Sequence, residues 1–482
     1  MNILTLILCL YIFSSISRGS LINELGKISR YYKPRVSSKS LREYVDLTVD
    51  PCDNIYKFSC GNWITAKAIE TENETSYYYT DFDSNFNKFV IEALNGKYNT
   101  ESIAIKDIYN LIIKCRELPN NEAKDCDQEV YEFGLYAFSS LFVVKNRVES
   151  EILNDDYIII EDMVKRIKEE FKLLLEEKGD KIDKETRYNF LDKLNAIEFV
   201  RNLDPYELSN TSLMEDCYKN IGVQYDDNIE SVLETIKYYR SKLKDSSTSD
   251  PCNIKVFQYE KYLRAYVHSN AMYNSMHNKF MLNSDTLKEP SFNRYFLSSL
   301  NYGFVGFTIA HEILHAFDND NYHYRFLTPE LVKSIVSDEF TENFKEKSNC
   351  FIKQYEKQRE SKATKNVDGK KTLSENIADN GGLKIVHRAY MKYLQSIGGE
   401  EPKVPGFEDF TSEQLFFISV GRNFCVHKSD EYFDESVTDK VHTPSEIRTN
   451  VALSNYEPFS NAFKCKLNSS MNPEHKCDLW LR

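Results

Sequence analysis

Basic residues are in the minority in this 482-residue chain, which has 61 Lys and Arg against 74 Asp and Glu and a formal net charge of −13. Binding to nucleic-acid phosphates needs clustered Lys and Arg that outweigh nearby acids, and no basic stripe stands out. A nucleic-acid partner is therefore not expected. Internal repeats, low-complexity tracts and long Pro/Gly-rich linkers are also missing. The hydrophobic fraction of 41% is that of a globular protein with room for two or three domain-sized units.

The apolar run near the N-terminus, residues 3–13, is too short to cross a bilayer as a helix, because a spanning helix takes about 20 apolar residues. It fits the core of a secretory signal with small residues near Gly19 as a cleavage site. An uncleaved signal anchor is the alternative, and the lack of Lys or Arg ahead of the run speaks against it. We therefore expect a signal peptide over residues 1–19 and a secreted, extracellular protein without a transmembrane anchor.

The cysteines lack the CxxC spacing of a structural zinc site. Cys9 lies in the predicted signal, and the remaining ten are an even number, as disulfides in an oxidising compartment require. Spacing alone does not give their connectivity. Three sequons predict N-glycosylation at Asn73, Asn210 and Asn468.

Histidine is scarce, with nine in the chain, yet two stand four positions apart in the run His311-Glu312-Ile313-Leu314-His315. On a helix both imidazoles lie on one face and can reach the same metal ion. Glu312 is then well placed to take a proton from a water molecule at the metal. A chance occurrence of the pattern is the alternative, but the apolar lead-in over residues 302–310 predicts a buried helix from about Gly303 to Phe317. The run is half of a zinc peptidase site.

A catalytic zinc site needs a third ligand and one open position. The three-histidine pattern HExxHxxGxxH is excluded, because Asp318 and Asn321 occupy its glycine and histidine positions. Glu375 offers the third ligand on a later predicted helix, and Asp379 shares its face four positions on. One carboxylate can bind zinc while the other accepts a hydrogen bond from a ligand imidazole. A solvated acidic face is the alternative, and the apolar neighbours of both residues speak against it.

Together, residues 311–318 and 375–382 resemble the neprilysin and endothelin-converting-enzyme family of zinc metallopeptidases. The likeness extends to segments near both ends of the chain, namely residues 51–63, 270–273, 299–303, 439–444 with Arg448, and 465–477. The resemblance implies a mainly helical α+β fold with a thermolysin-like zincin (gluzincin) catalytic domain.

The resemblance also implies a role for each matching residue at the metal. His311, His315 and Glu375 would bind one Zn²⁺ per chain. Asp318 and Asp379 would orient the ligand histidines, and Asp379 would thereby support catalysis.

Further matches concern the substrate. Glu312 would act as general base and then as general acid, and His442 would hydrogen-bond the oxyanion of the tetrahedral intermediate. Arg448 would grip a substrate carbonyl, whereas an ordinary surface arginine is the alternative. Asn270 and Ala271 would align the substrate main chain as an added strand.

Disulfide pairs follow partly from the same resemblance, which implies Cys52–Cys465, Cys60–Cys425 and Cys350–Cys477. Cys115 and Cys126 could close a short loop, and Cys217 and Cys252 would pair by elimination.

The chain departs from the family between Cys115 and Cys126, where only ten residues replace a long helical insertion that forms a lid. We therefore predict a reduced helical lid subdomain over 106–251, between the N-terminal part of the catalytic domain at 20–105 and the zinc-binding part at 252–482. Phe424 and Val426 stand where the family has Trp and Gly, so the pocket beyond the scissile bond is expected to differ in shape.

The function implied is that of a secreted, monomeric zinc endopeptidase that cuts peptides or proteins on the amino side of bulky apolar residues. A catalytically weak secreted binding protein or peptide trap on the same scaffold is the alternative. It is disfavoured because a non-catalytic scaffold has no physical need of Glu312.

Overall fold

The computed structural model describes residues 33–72, 74–81, 84–152, 155–177, 182–201, 206–243, 250–258, 264–325, 334–438 and 441–479. Helices dominate these residues and the strands are few and short, so the predicted mainly helical α+β class is confirmed. The predicted signal peptide over residues 1–19 and the sequon at Asn73 lie outside the described residues. No helix in the described ranges is long and apolar enough to cross a membrane.

Two compact units divide the chain. Unit 1 comprises the described residues within 1–78, 159–196 and 290–482, and unit 2 those within 79–158 and 197–289. These boundaries differ from the predicted ones at 105 and 251, because residues 159–196 pack with the C-terminal part of the chain. In unit 1, Phe317 meets the rings of Phe171 and Phe190 edge to face at centroid distances of 4.9 and 5.3 Å.

Unit 1 contains the helices that carry the candidate site. We call Phe307–His315 the motif helix and Leu373–Ser396 the carboxylate helix. The hairpin helices are Asp155–Glu177, which belongs to unit 1 from residue 159 onward, and Lys184–Ala196. The other helices of unit 1 are Pro34–Tyr44, Ile55–Glu70, Ser298–Asn301, Asp338–Tyr355, Ser412–Arg422, Tyr432–Thr438, Ser445–Asn455 and Glu457–Ala462.

The spacing of apolar residues explains how the first hairpin helix packs against the core. Met163, Ile167, Phe171 and Leu174 recur every three or four residues and are all buried, so one face of the helix is apolar.

Unit 2 is a helical cluster with a small sheet. Its helices are Ser84–Leu94, Ile103–Cys115, Asn120–Ile152, Tyr206–Ser209, Thr211–Ile221, Ile229–Lys242, Pro251–Phe257 and Arg264–Val267. Strand Lys279–Leu282 is central, with Glu198–Arg201 parallel to it on one side and Ala271–Asn274 antiparallel on the other. Two further short strands are Tyr78–Thr80, which begins at the last residue of unit 1, and Val426–Lys428, which lies in unit 1. Buried apolar residues from Phe86 to Val267 form the core of this unit.

Five disulfides join the ten cysteines in the pairs that the resemblance and elimination suggested. Unit 1 contains Cys52–Cys465, Cys60–Cys425 and Cys350–Cys477, and unit 2 contains Cys115–Cys126 and Cys217–Cys252. The first pair spans 413 positions of sequence and so fixes residues near both ends of the chain within unit 1.

Candidate metal centre

The motif helix begins in an unusual way. Ser298–Asn301 leads into a π-helical turn, Tyr302–Gly306, which continues into Phe307–His315. Leu297 precedes the first turn and has no capping side chain. The buried carboxylate of Glu401 replaces the cap, accepting the backbone N–H groups of Ser298 and Ser299 at 2.7 and 3.0 Å. The helix is thereby anchored at the end opposite to His311 and His315.

The carboxylate helix crosses the motif helix at very short range. A Cβ atom at Gly382 would lie 2.9 Å from the backbone nitrogen of His311, so only glycine fits there. This close approach brings Glu375 beside both histidines. Its Oε2 lies 3.2 Å from His311 Nε2 and its Oε1 lies 3.6 Å from His315 Nε2.

Each histidine is held from behind by a buried aspartate. Asp379 lies 2.9 Å from His311 Nδ1, and Asp318 lies 2.8 Å from His315 Nδ1. Ser374 donates its hydroxyl to Oδ2 of Asp318 at 2.7 Å. Because a carboxylate accepts hydrogen bonds, the Nδ1 atom of each ring carries the proton and Nε2 presents a lone pair.

The two Nε2 atoms fit a metal ion. His311 Nε2 and His315 Nε2 lie 2.9 Å apart, so a single proton or a metal ion can bind to them. Oε2 of Glu375 is buried without a well-aligned hydrogen-bond donor. Ligand atoms bound tetrahedrally to zinc at about 2.0–2.1 Å stand about 3.3 Å apart. The two Nε2 atoms lie 2.9 Å from each other, and each lies 3.2 or 3.6 Å from one oxygen of Glu375, which is close to that value. In the described part of the chain these residues form a group able to hold a metal ion.

The electrostatics of the cluster also favour a cation. Burial lowers the pKa of His311, but the carboxylates of Asp379 and Glu375 outweigh it and raise the pKa to about 10. Burial raises the pKa of Glu375, but the imidazoles of His311 and His442 outweigh it and hold the pKa well below its usual range. The carboxylates therefore stay charged, and a proton or a metal ion must balance them.

Arg448 contacts Asp379, the aspartate beside the candidate ligand His311. Its Nε and Nη2 donate to the two carboxylate oxygens of Asp379 at 2.6 and 2.8 Å, a bidentate pair. The guanidinium lies over the ring of Phe424, 4.4 Å from the centroid. Within the described ranges Nη1 makes no hydrogen bond, and its contact with a substrate carbonyl stays a prediction. The sequence did not suggest the contact with Asp379.

His442 lies at the open side of the cluster. Its side chain is half exposed, and Nε2 lies 3.1 Å from Oε2 of Glu375. The next residue, Thr443, donates its hydroxyl to Asn376 at 2.7 Å, and both partners are buried. Sequence reasoning missed Asn376, although a fully buried amide beside a metal ligand needs partners.

Comparison with known proteins places the chain in a family. The sequence profile of "Peptidase family M13" matches residues 270–479. Human neprilysin is 31% identical over 338 residues, covering 69% of this chain and 43% of the relative. Neprilysin-1 of Caenorhabditis elegans is 31% identical, covering 66% and 41%. The chain belongs to peptidase family M13, the neprilysin family.

The M13 chain spans about two fifths of the length of these relatives. The endothelin-converting enzyme homolog of Locusta migratoria is 32% identical, covering 66% of this chain and 42% of the relative.

Solved structures share the fold. The zinc metalloprotease Zmp1 of Mycobacterium tuberculosis superposes with a TM-score of 0.50 at 21% identity, covering 75% of this chain and 51% of that one. A chain of the Haemonchus galactose containing glycoprotein complex gives a TM-score of 0.59 at 16% identity, covering 93% and 99%.

The remaining predicted site residues are Asn270 and Ala271, expected to align the substrate, and the sequon residues Asn210 and Asn468. Asn270 and Ala271 belong to unit 2, where Ala271 begins the edge strand Ala271–Asn274 and Asn270 O accepts the backbone N–H of Asn283 at 3.1 Å. Their contact with substrate stays a prediction. Asn468 is exposed, whereas Asn210 is half-buried and caps the helix Thr211–Ile221 with its side chain. Glycosylation of both also stays a prediction.

Proposed function

We propose that this chain is a zinc-dependent endopeptidase with one Zn²⁺ held by His311, His315 and Glu375. The observation that carries the proposal is the convergence of the two imidazole Nε2 atoms and the Glu375 carboxylate at distances of 2.9–3.6 Å. Glu312 lies beside the two histidines on the same short helix. When bound, the zinc ion would act as a Lewis acid on the scissile carbonyl and make water easier to deprotonate.

Glu312 is the general base in this proposal. Its carboxylate makes no hydrogen bond with any described residue, so it is available to a water molecule and a substrate. It would take the proton of the attacking water and later deliver it to the leaving amine.

His442 and Arg448 would act on the substrate itself. The half-exposed imidazole of His442 can donate a hydrogen bond to the oxyanion as negative charge develops there. Arg448 is fixed through two of its nitrogens by Asp379, so Nη1 could offer a preorganised donor to a substrate carbonyl.

Substrate size and specificity follow from the family resemblance. Cleavage on the amino side of bulky apolar residues is the expected preference, and Phe424 in place of the family's Trp would alter the pocket. Only ten residues separate Cys115 from Cys126, so we infer wider access and acceptance of larger or folded substrates. Secretion and a monomeric state complete the proposal.

Product analysis by mass spectrometry tests the proposal. The purified chain is incubated with a mixed peptide library, alone, with a chelator, and with zinc restored after chelation. We expect chelation to abolish cleavage and Glu312→Gln to slow it at least about 10²-fold while zinc stays bound. Exposed Glu342 on the helix Asp338–Tyr355 gives the matched control, Glu342→Gln, with wild-type activity expected. Products that persist unchanged with chelator and in Glu312→Gln would refute the zinc mechanism.

A second assay addresses substrate size. One cleavable sequence is presented as a short peptide and as a loop on a folded protein, and the two values of kcat/KM are compared. Strict rejection of the protein-borne loop would contradict the inference of wider access.

A further inference from the structure

Lys193 is an unusual residue for the core of unit 1. It lies on the second hairpin helix and is only 2% exposed. Its Nζ donates to the backbone carbonyls of Asn321 and Tyr324 at 2.7 and 2.5 Å. The same ammonium group lies 5.5 Å from the centroid of the Phe317 ring. All these contacts are with the segment that follows the motif helix.

That segment holds the carboxylate behind His315. Oδ1 of Asp318 accepts the backbone N–H groups of Asp320 and Asn321, each at 2.9 Å, and the side-chain amide of Asn321 at 3.1 Å. Oδ2 then faces His315 Nδ1 at 2.8 Å. The direction of this carboxylate therefore depends on the backbone conformation at residues 320 and 321, and Lys193 binds the carbonyl of Asn321.

A buried lysine is costly unless its charge and donors are used. Burial lowers the pKa of Lys193 to about 7, and the attraction of Asp318 opposes that shift. A leucine or methionine would fill the same core position without this penalty, since Phe171 and Phe190 already pack on Phe317. Packing alone therefore gives no reason for a lysine.

We propose that Lys193 is a positioning residue of the metal centre, which fixes the Asn321–Tyr324 backbone and through it the Asp318 carboxylate that orients His315. The hairpin helices precede residues 270–479, the part matched by the M13 profile. The proposal rests on the proposed function only in requiring that the site binds zinc.

Zinc affinity in the full chain tests this role directly. Lys193→Met keeps the length of the side chain and removes the donors and the charge. We expect the dissociation constant for Zn²⁺, measured by competition with a chromophoric chelator, to rise about 10- to 100-fold. With zinc in excess, kcat and KM should return close to wild-type values.

Lys428→Met is the matched control, because Lys428 is also a buried lysine but pairs with Glu360 at 2.7 Å. It should lower the free energy of unfolding without changing zinc affinity. Lys193→Gln leaves a shorter donor that cannot reach both carbonyls. It should show an intermediate loss of affinity, and it serves if the methionine variant does not fold.

The two proposals fail in different ways. A wild-type chain that binds no zinc would overturn the proposed function and the role of Lys193 together. Zinc binding in the wild type with an affinity within about threefold in both Lys193 variants would overturn only the role of Lys193. An equal loss of affinity in Lys428→Met would also overturn it, by indicating a general effect of core destabilisation.

Discussion

Breaking the buried pair of Asp379 and Arg448 should destabilise the fold and weaken the metal centre. Their side chains are 1% and 12% exposed, and two charge-assisted hydrogen bonds of 2.6 and 2.8 Å join them. Removing one partner leaves the other charge buried, which costs about 3–5 kcal/mol in comparable pairs. We expect Asp379→Ala to lower the free energy of unfolding by that amount. It should also weaken zinc binding about 10- to 100-fold, because His311 loses its partner.

A double-mutant cycle separates the pair from its surroundings. Arg448→Met should destabilise the chain less than Asp379→Ala, since His311 Nδ1 still lies 2.9 Å from the aspartate. The double variant should be less destabilised than the sum of the single changes, by about 0.5–3 kcal/mol. Urea unfolding followed by circular dichroism gives these values, with chelator present so that bound zinc does not contribute.

The surface pair of Asp162 and Arg166 provides the comparison. Its side chains are 48% and 33% exposed, so Asp162→Ala should change the free energy of unfolding by less than about 1 kcal/mol. A change below about 1 kcal/mol in Asp379→Ala, or strict additivity in the double variant, would refute the argument from burial.

Three further predictions concern residues around the ligands. His442→Gln should lower kcat about 10²-fold with zinc content unchanged, because a donor to the oxyanion is lost; loss of zinc instead would contradict this role. Thr443→Val should lower kcat about tenfold, because the hydrogen bond to Asn376 is lost, whereas Thr443→Ser should retain activity. Equal effects of the two changes would show that the hydroxyl does not contribute to activity. The folded-state pKa of Lys193 is about 7, below the ordinary value of 10.5. Between these values the unfolded chain binds more protons, so stability should rise by up to about 2 kcal/mol from pH 7 to 8.5 in urea titrations. Lys193→Met should lack this rise, and an identical pH dependence would refute the shift.

The candidate metal ligands could be found in the sequence because each of the two motifs that contain them is local. His311 and His315 share a helix face through their spacing alone, and Glu375 is recognisable from a motif of its own. Asp379 could be found from its spacing to Glu375, whereas the role of Asp318 came only from the family resemblance. Contacts such as Thr443 with Asn376 and Lys193 with Asn321 join residues 67 and 128 positions apart. Helix and strand periodicity carry no information about contacts between residues so far apart in the sequence.

Local patterns were less accurate about which residues face the core. In the second hairpin helix Tyr188 stands at helical spacing from Leu191 and Leu194, which predicts that it faces the core, yet its side chain is 71% exposed. Phe190 is fully buried instead and meets the ring of Phe317. A shift of two positions changes the helix face by about 200°. Both residues are aromatic, so residue type does not show which of them is buried. The packing of Phe190 on the ring of Phe317 determines it.

The glycines of the carboxylate helix show most clearly what a sequence leaves open. Gly382 within a helix weakens it by about 1 kcal/mol relative to alanine, so its helical propensity alone argues against it. In the structure a Cβ there would lie 2.9 Å from the nitrogen and 3.1 Å from the Cα of His311. The two helices therefore meet backbone to backbone at this point. Glu375, two turns earlier on the same helix, can then come within 3.2 Å of His311 Nε2. Gly382 thus lowers helix stability, but it lets the two helices approach closely enough for Glu375 to reach the two histidines.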